Sequence, residues 1–205
     1  MSKIQDFHDK LIRVEPIDLF NYVDVIPELL TLQGCDQNPN HHFEGNVLTH
    51  TNMALAKAYE FCCQLNTDPR SIVKRQNIYL GTLMHDLGKP DATFMKGDKL
   101  VAYNHETIGV PYAREFLRKY FPEFGFGRRE WIISLVEYHM RAREIAKEAK
   151  LAPLRRFSLD VDTSEMYWVA MADSLGRTVP PGGDLKMEWS PLYLKRMQEE
   201  GIYGK

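Results

Sequence analysis

The sequence predicts an all-α fold, a helical bundle carrying one small β-hairpin. Apolar residues recur at steps of three and four in most segments, and Asx, proline and glycine residues punctuate those segments where helices start and stop. Nowhere do strands alternate with helices as a parallel sheet requires.

A chain of 205 residues with 44% hydrophobic and 26% charged residues is long enough for one buried core and too apolar for disorder. It is read as one domain over 1–205, with a motif-bearing core at about 40–178 and two appendages: N-terminal helices in 1–34 and a tail in 179–205. A formal net charge of −2 gives no general attraction to nucleic acid or an anionic membrane. The odd set Cys35, Cys62 and Cys63 fits no disulfide framework, and no stretch is apolar enough for a signal or a membrane span, so a cytoplasmic location is expected.

Taken in order, Ile4, Phe7, Leu11 and Ile12 mark a first helix that Pro16 interrupts. A second stripe from Ile17 to Leu32 is kinked or divided by Pro27 and closed by Gly34. The turn-forming run 37–46 forms a loop. Val47, Thr51, Ala54, Ala58, Phe61 and Leu65 then make a stripe that contains His50 on its inner face. Asp68-Pro69 opens a helix that ends at His85-Asp86, with Gly88 and Pro90 terminating it. Residues 93–103 fit a hairpin turning at Gly97.

After the hairpin, Ile108, Tyr112, Phe116 and Phe121 extend a stripe headed by His105, and Pro111 places the start of regular helix near Gly109. Residues 129–141 align Ile132, Leu135, Val136 and His139. Residues 144–160 are helix-permissive, with Pro153 as a break. Asp162 caps a helix with Met166, Val169, Ala170 and Asp173 inward, stopped by Gly176. The tail from Thr178 is mostly irregular, with a short helix near Leu192–Glu199.

Four histidines and two aspartates, His50, His85, Asp86, His105, His139 and Asp173, thus stand on separate inward faces. One inward histidine is ordinary; four together with an aspartate on an apolar face call for a shared partner, because a buried carboxylate is costly unless paired or metal-bound. Mixed imidazole and carboxylate donors suit Mn, Fe, Ni, Co or Zn better than Mg. His50, His85, Asp86 and Asp173 would complete one site. His105 and His139 would serve a second ion, with Asp86 bridging, so one or two divalent transition-metal ions are expected.

The series His50, His85-Asp86, Asp173 resembles the HD-domain phosphohydrolase superfamily, an all-α fold named for its His-Asp pair, and His105 with His139 resembles its dinuclear branch. More narrowly, His42-Phe43-Glu44-Gly45-Asn46, Thr49-His50-Thr51, His85-Asp86-Leu87-Gly88-Lys89-Pro90, His105-Glu106 and Asp173-Ser174-Leu175-Gly176-Arg177 are similar to the HD domain attached to some bacterial tRNA nucleotidyltransferases. Phe43 stands where that motif has proline. The resemblance covers about residues 40–178. It implies phosphomonoesterase or phosphodiesterase activity on nucleotides, including 2′,3′-cyclic phosphates, and does not imply nucleotide addition.

Asp86 and Lys89 are the catalytic candidates, with Lys89 close enough to Asp86 to neutralise a phosphate oxygen. Lys89, Arg177 and His42 are the substrate-binding candidates; a solvated lysine, a helix-end arginine and a loop-fixing histidine are the plainer alternatives. Glu44 either borders the pocket, orients a ligand or fixes the loop. For Arg128, Arg129, Arg141 and Arg143 a charged surface is the simpler reading. Cys62-Cys63, Trp131, Trp168 and Tyr167 read as core. The expected partner is a small phosphate ester or nucleotide, with an RNA 3′ end less favoured. A di-iron oxygenase and a non-catalytic nucleotide-binding module remain the competing readings, separable by oxygen consumption and by binding without turnover.

Overall fold

The computed structural model describes residues 1–65, 68–147 and 151–203. Its elements run α1 (Lys3–Arg13), a 3₁₀ turn (Leu19–Tyr22), α2 (Pro27–Gln33), α3 (Val47–Gln64), α4 (Pro69–Met84), α5 (Lys89–Ala92), β1 (Thr93–Lys96), β2 (Lys99–Ala102), α6 (His105–Tyr120), α7 (Phe126–Tyr138), α8 (Arg141–Ile145), α9 (Leu151–Asp160), α10 (Thr163–Leu175) and α11 (Trp189–Glu199). The protein is all-α apart from the antiparallel β1–β2 hairpin, whose register pairs Phe94 with Val101 and turns at Gly97, φ +59°. A positive φ there favours glycine.

Side-chain caps set the starts of α3, α4 and α10. Asn46 accepts from the Thr49 N–H, Asp68 from Arg70 and Ser71, and Asp162 from Ser164 and Glu165. Each such cap contributes about 1 kcal/mol. Helices α4 and α10 pack on one another, and each packs on both α3 and α7, as the centre of the bundle; α6 covers α7, and α1 lies on α4. Fully buried Leu48, Leu55, Ile78, Leu80, Leu135, Val136, Met166 and Val169 fill the space between the four, and Phe7 and Leu11 of α1 join the same core.

Four elements depart from expectation. Helix α6 begins at His105 and runs through Pro111. The carbonyl left without a donor belongs to Thr107, which is exposed, so water can satisfy it. Lys89 and Pro90 start the one-turn helix α5, because proline suits a first turn as well as it ends a helix. In the 144–160 stretch, Pro153 lies within the first turn of α9, while residues 148–150 lie outside the described residues. The tail helix starts at Trp189, and Trp189, Tyr193 and Met197 are buried, with the Tyr193 hydroxyl donating to the Thr163 carbonyl at 2.7 Å. Cys63 is exposed where a core position was expected, and only Cys62 is buried. Trp131 is 40% exposed and donates its indole N–H to Glu165 at 2.9 Å.

Candidate metal centre

Helix ends deliver most of the centre. His85 follows α4 and His139 follows α7, and each donates its Nδ1–H to the carbonyl three residues back, Thr82 and Val136, at 2.7 Å. Those carbonyls are among the last four of their helices and lack intrahelical donors, so each imidazole caps the helix it ends. His105 opens α6 and bonds the Ala102 carbonyl at 2.9 Å in the same manner. His50 lies in the first turn of α3, with Nδ1 3.2 Å from Glu44 Oε1. With every Nδ1 turned outward, the four Nε2 atoms face one another.

They converge in two pairs, His50 with His85 and His105 with His139, each 3.2 Å between Nε2 atoms. Asp86 stands between the pairs: Oδ2 is 3.1 Å from His85 Nε2 and 3.6 Å from His50 Nε2, whereas Oδ1 is 3.2 Å from His105 Nε2. Asp173 Oδ1 closes the first half, 3.2 Å from His50 Nε2 and 4.0 Å from His85 Nε2. His50, His85 and Asp173, and separately Asp86, His105 and His139, therefore form two groups of donor atoms compact enough to hold an ion.

Two glycines permit this convergence. A Cβ on Gly88 would lie 2.1 Å from the His105 carbonyl oxygen, and one on Gly176 would lie 2.3 Å from Ala54 Cα. Backbone contact at Gly88 brings the His85-Asp86 turn against the start of α6, and contact at Gly176 brings the end of α10 against α3.

The electrostatics keep both carboxylates and His139 in ligand form, whereas the carboxylates beside His50 and His105 raise those two imidazoles despite their burial. Burial works to raise Asp86 and Asp173, but His85 and Lys89 beside Asp86, and Arg143 and His50 beside Asp173, hold both carboxyls well below the usual range. Burial, with His105 and His85 nearby, lowers His139 to about 3, so it is a neutral imidazole with an inward lone pair. Neither oxygen of buried Asp86 receives a well-aligned hydrogen bond, although Lys89 Nζ is 2.7 Å from Oδ2. Orphaned buried carboxylate oxygens facing imidazole lone pairs fit a divalent cation.

The centre floors a cavity of about 470 Å³ bounded by the hairpin, the 36–42 loop, Met140, Arg143 and Arg177. Lys89 and His42 line it, as does Arg177, whose Nε bonds the Ser174 carbonyl at 3.3 Å. Lys89 also donates to Gln37 Oε1 at 2.5 Å, so the ammonium is held against Asp86 from the loop side. Burial lowers His42 to about 4, and its Nδ1 lies 2.8 Å from Glu44 Oε1. Glu44 in turn accepts from the Thr178 N–H at 2.8 Å, tying the loop to the end of α10.

Sequence reasoning left Arg143 on the surface. It donates to Asp173 Oδ2 at 2.5 Å and to Ser174 Oγ at 2.9 Å, and it lines the cavity. Its place four residues after His139, one helical turn on, was the available signal. Arg128 bonds Gln76 and covers the Phe124 ring, and Arg129 reaches the Phe124 carbonyl, both outside the cavity lining.

An all-α bundle that gathers four imidazoles and two carboxylates at converging helix ends defines a helical protein built around a candidate dinuclear metal centre. The chain belongs to the HD domain family, whose model matches residues 47–178. Members of the family are typically metal-dependent hydrolases that bind divalent metals. The chain is also similar to the multifunctional CCA protein of Hahella chejuensis (strain KCTC 2396), 30% identical over 166 residues, which is 76% of this chain and 35% of that relative. It thus spans about a third of the relative's length. Among the described residues no helix is long and apolar enough to cross a membrane.

Proposed function

We propose that the chain is a metal-dependent phosphohydrolase acting on a nucleotide or nucleotide-like phosphate ester, with 2′,3′-cyclic phosphates among the candidates. The observation that carries the reading is Asp86, which offers one oxygen to each pair of histidines at the floor of a cavity edged by cations. His50, His85, Asp86 and Asp173 would hold one ion, and His105 and His139, sharing Asp86, the second. The imidazole-rich set favours Mn, Fe, Ni, Co or Zn over Mg. Bound ions of this kind acidify a water and neutralise a phosphoryl group.

The chain's own residues do the rest. Hydrolysis joins the water oxygen to phosphorus, breaks the bond from phosphorus to the ester oxygen, and leaves a proton on the released alcohol. Lys89 places a fixed cation beside Asp86, where negative charge grows on the phosphoryl oxygens. Arg177, which also lines the cavity, supplies a second cation for the phosphate, and Arg143 keeps Asp173 oriented and ionised. His42 borders the entrance. Three free cysteines accord with a cytoplasmic location.

The test is phosphate release from a panel of nucleoside mono-, di- and cyclic phosphates with Mn, Co, Ni, Zn and Mg in turn. Release that vanishes with a chelator and with Asp86→Ala is expected. Bound iron with oxygen consumption and no phosphate release, or tight nucleotide binding without turnover, overturns the reading.

A further inference from the structure

Behind the arginine wall lies a second cavity, of about 410 Å³, lined by His41, Arg143, Lys147, Arg177, Lys186 and Trp189 among others. It shares His41, Arg143 and Arg177 with the cavity over the candidate metal centre, so the two adjoin across those residues. Four cations line the second chamber against two carboxylates, Asp184 and Glu188, in a chain whose formal net charge is −2. A local cationic excess against that background marks an anion-binding concavity.

Pairing within the described residues does not use up these cations. Arg143 is committed to Asp173 and Ser174, and Arg177 uses Nε on the Ser174 carbonyl. The remaining guanidinium nitrogens of Arg177 and the ammonium groups of Lys147 and Lys186 have no ion-pair partner among the described residues. The indole Nε1 of Trp189, a residue of the chamber wall that is 3% exposed, is a buried donor without a partner. The position is also fixed: Arg196 of α11 bonds the Ile145 carbonyl of α8 at 3.0 Å, holding the helix that carries Trp189 against the segment that leads to Lys147.

We infer that this chamber binds a second phosphate of the same substrate, so that the preferred substrate is a nucleotide bearing a further phosphate group, either on its own sugar or on the next nucleotide. The inference rests on the phosphohydrolase reading for the position of the first phosphate. The scissile group sits over His50, His85, Asp86, His105, His139 and Asp173. The second phosphate passes Arg177 and meets Lys147 and Lys186, while Val179 and Pro180 offer apolar surface to the sugar or base between them.

The test compares phosphate release by the metal-loaded full chain from adenosine 3′-monophosphate, adenosine 3′,5′-bisphosphate and a diadenosine dinucleotide ending in a 3′-phosphate. A kcat/KM about tenfold higher on at least one of the latter two is expected, since one charge-assisted contact is worth that much. Preference between them assigns the second phosphate to the same or the neighbouring nucleotide. The double variant Lys147→Ala with Lys186→Ala, both exposed positions, should bring that ratio to within about twofold of one. In parallel, calorimetric titration of the full chain with the bisphosphate in excess chelator should show about tenfold weaker binding by the double variant. If the unmodified protein shows no preference and the variant binds the bisphosphate equally well, the subsite is overturned whether or not hydrolysis occurs. If no ester is hydrolysed but the variant loses binding, the phosphohydrolase reading falls and the subsite stands.

Discussion

At the scale of single residues, the candidate centre is built from groups that aim the would-be ligands as much as from those ligands. Glu44 is the clearest case, with one oxygen toward His42 and His50 and the other on Thr178. Although burial works to raise its pKa, the bond with His42, the close approach of His50 and the Thr178 N–H that donates to it carry it far below the carboxylate range, so it is an anion held beside the His50 ring. Glu44→Gln should keep the fold but weaken metal affinity by about 10- to 100-fold, the usual cost of losing such a partner. Competition with a coloured chelator reads this directly; unchanged affinity would reduce Glu44 to a loop anchor. Removing an inner group acts more locally: His139→Ala should lower the bound metal from two equivalents to one by elemental analysis, leaving the His50, His85, Asp173 half loaded. The four histidines were legible in the sequence because His50 and His139 lie on apolar stripes, His105 heads one and His85 ends one. Arg143 was not, because exposed arginines are common and its partner Asp173 lies on another helix thirty residues away.

At the scale of elements, the periodicity located α3, α4, α7 and α10, and the caps Asp68 and Asp162 fixed the starts of α4 and α10, because both signals are local; α7 starts at Phe126 without a side-chain cap, three residues before the expected Arg129. The sequence could not show which helices touch, since that is set by backbone approach. Gly88 and Gly176 decide it, and a substituent on either would meet main-chain atoms that cannot move aside, at 2.1 Å and 2.3 Å. Gly88→Ala and Gly176→Ala should each destabilise the protein by about 3 kcal/mol or more, at the upper end of overpacking costs, with loss of metal binding. Gly127 is the contrast: it lies in α7 with open space around it, so Gly127→Ala should stabilise by about 0.5–1 kcal/mol. Urea unfolding of the three variants tests both signs at once. Equal, small effects at all three positions would mean that close helix contact does not assemble the centre. Pro111 shows the reverse limit of local rules: the tertiary contacts of His105 and Gly109 hold α6 helical through a residue that alone predicts a break.

At the scale of the whole molecule, a second buried charge among the described residues, Glu165, lies apart from the candidate metal centre. Glu165 lies two turns before Asp173 on α10, about 12 Å away along the axis. Burial, followed by the nearby Asp162 carboxylate, raises it to about 7. From α4 it faces Asn77, with Lys74 nearby; from α7 it accepts the Trp131 N–H, with Arg128 in the same field. Asn77 Oδ1 is buried without a donor, and turning that amide over presents Oδ1 to a proton on Glu165. The folded state therefore binds this proton more tightly than the unfolded chain, whose carboxyl titrates near 4.5. Between those two values the folded state holds more protons, so stability falls as pH rises. The contribution is complete below about pH 4.5, is lost on the way to about pH 7 and does not return above it. A neutral isostere removes the loss. Glu165→Gln should raise stability at pH 8 by about 1–3 kcal/mol and leave it nearly unchanged at pH 4.5. Because the histidines of the metal centre titrate in both proteins, the difference between wild type and variant isolates Glu165, and thermal unfolding at pH 4.5, 6, 7 and 8 measures it. A gap that stays constant across that range would mean Glu165 is ionised throughout, held by Lys74 and Arg128 more strongly than burial opposes.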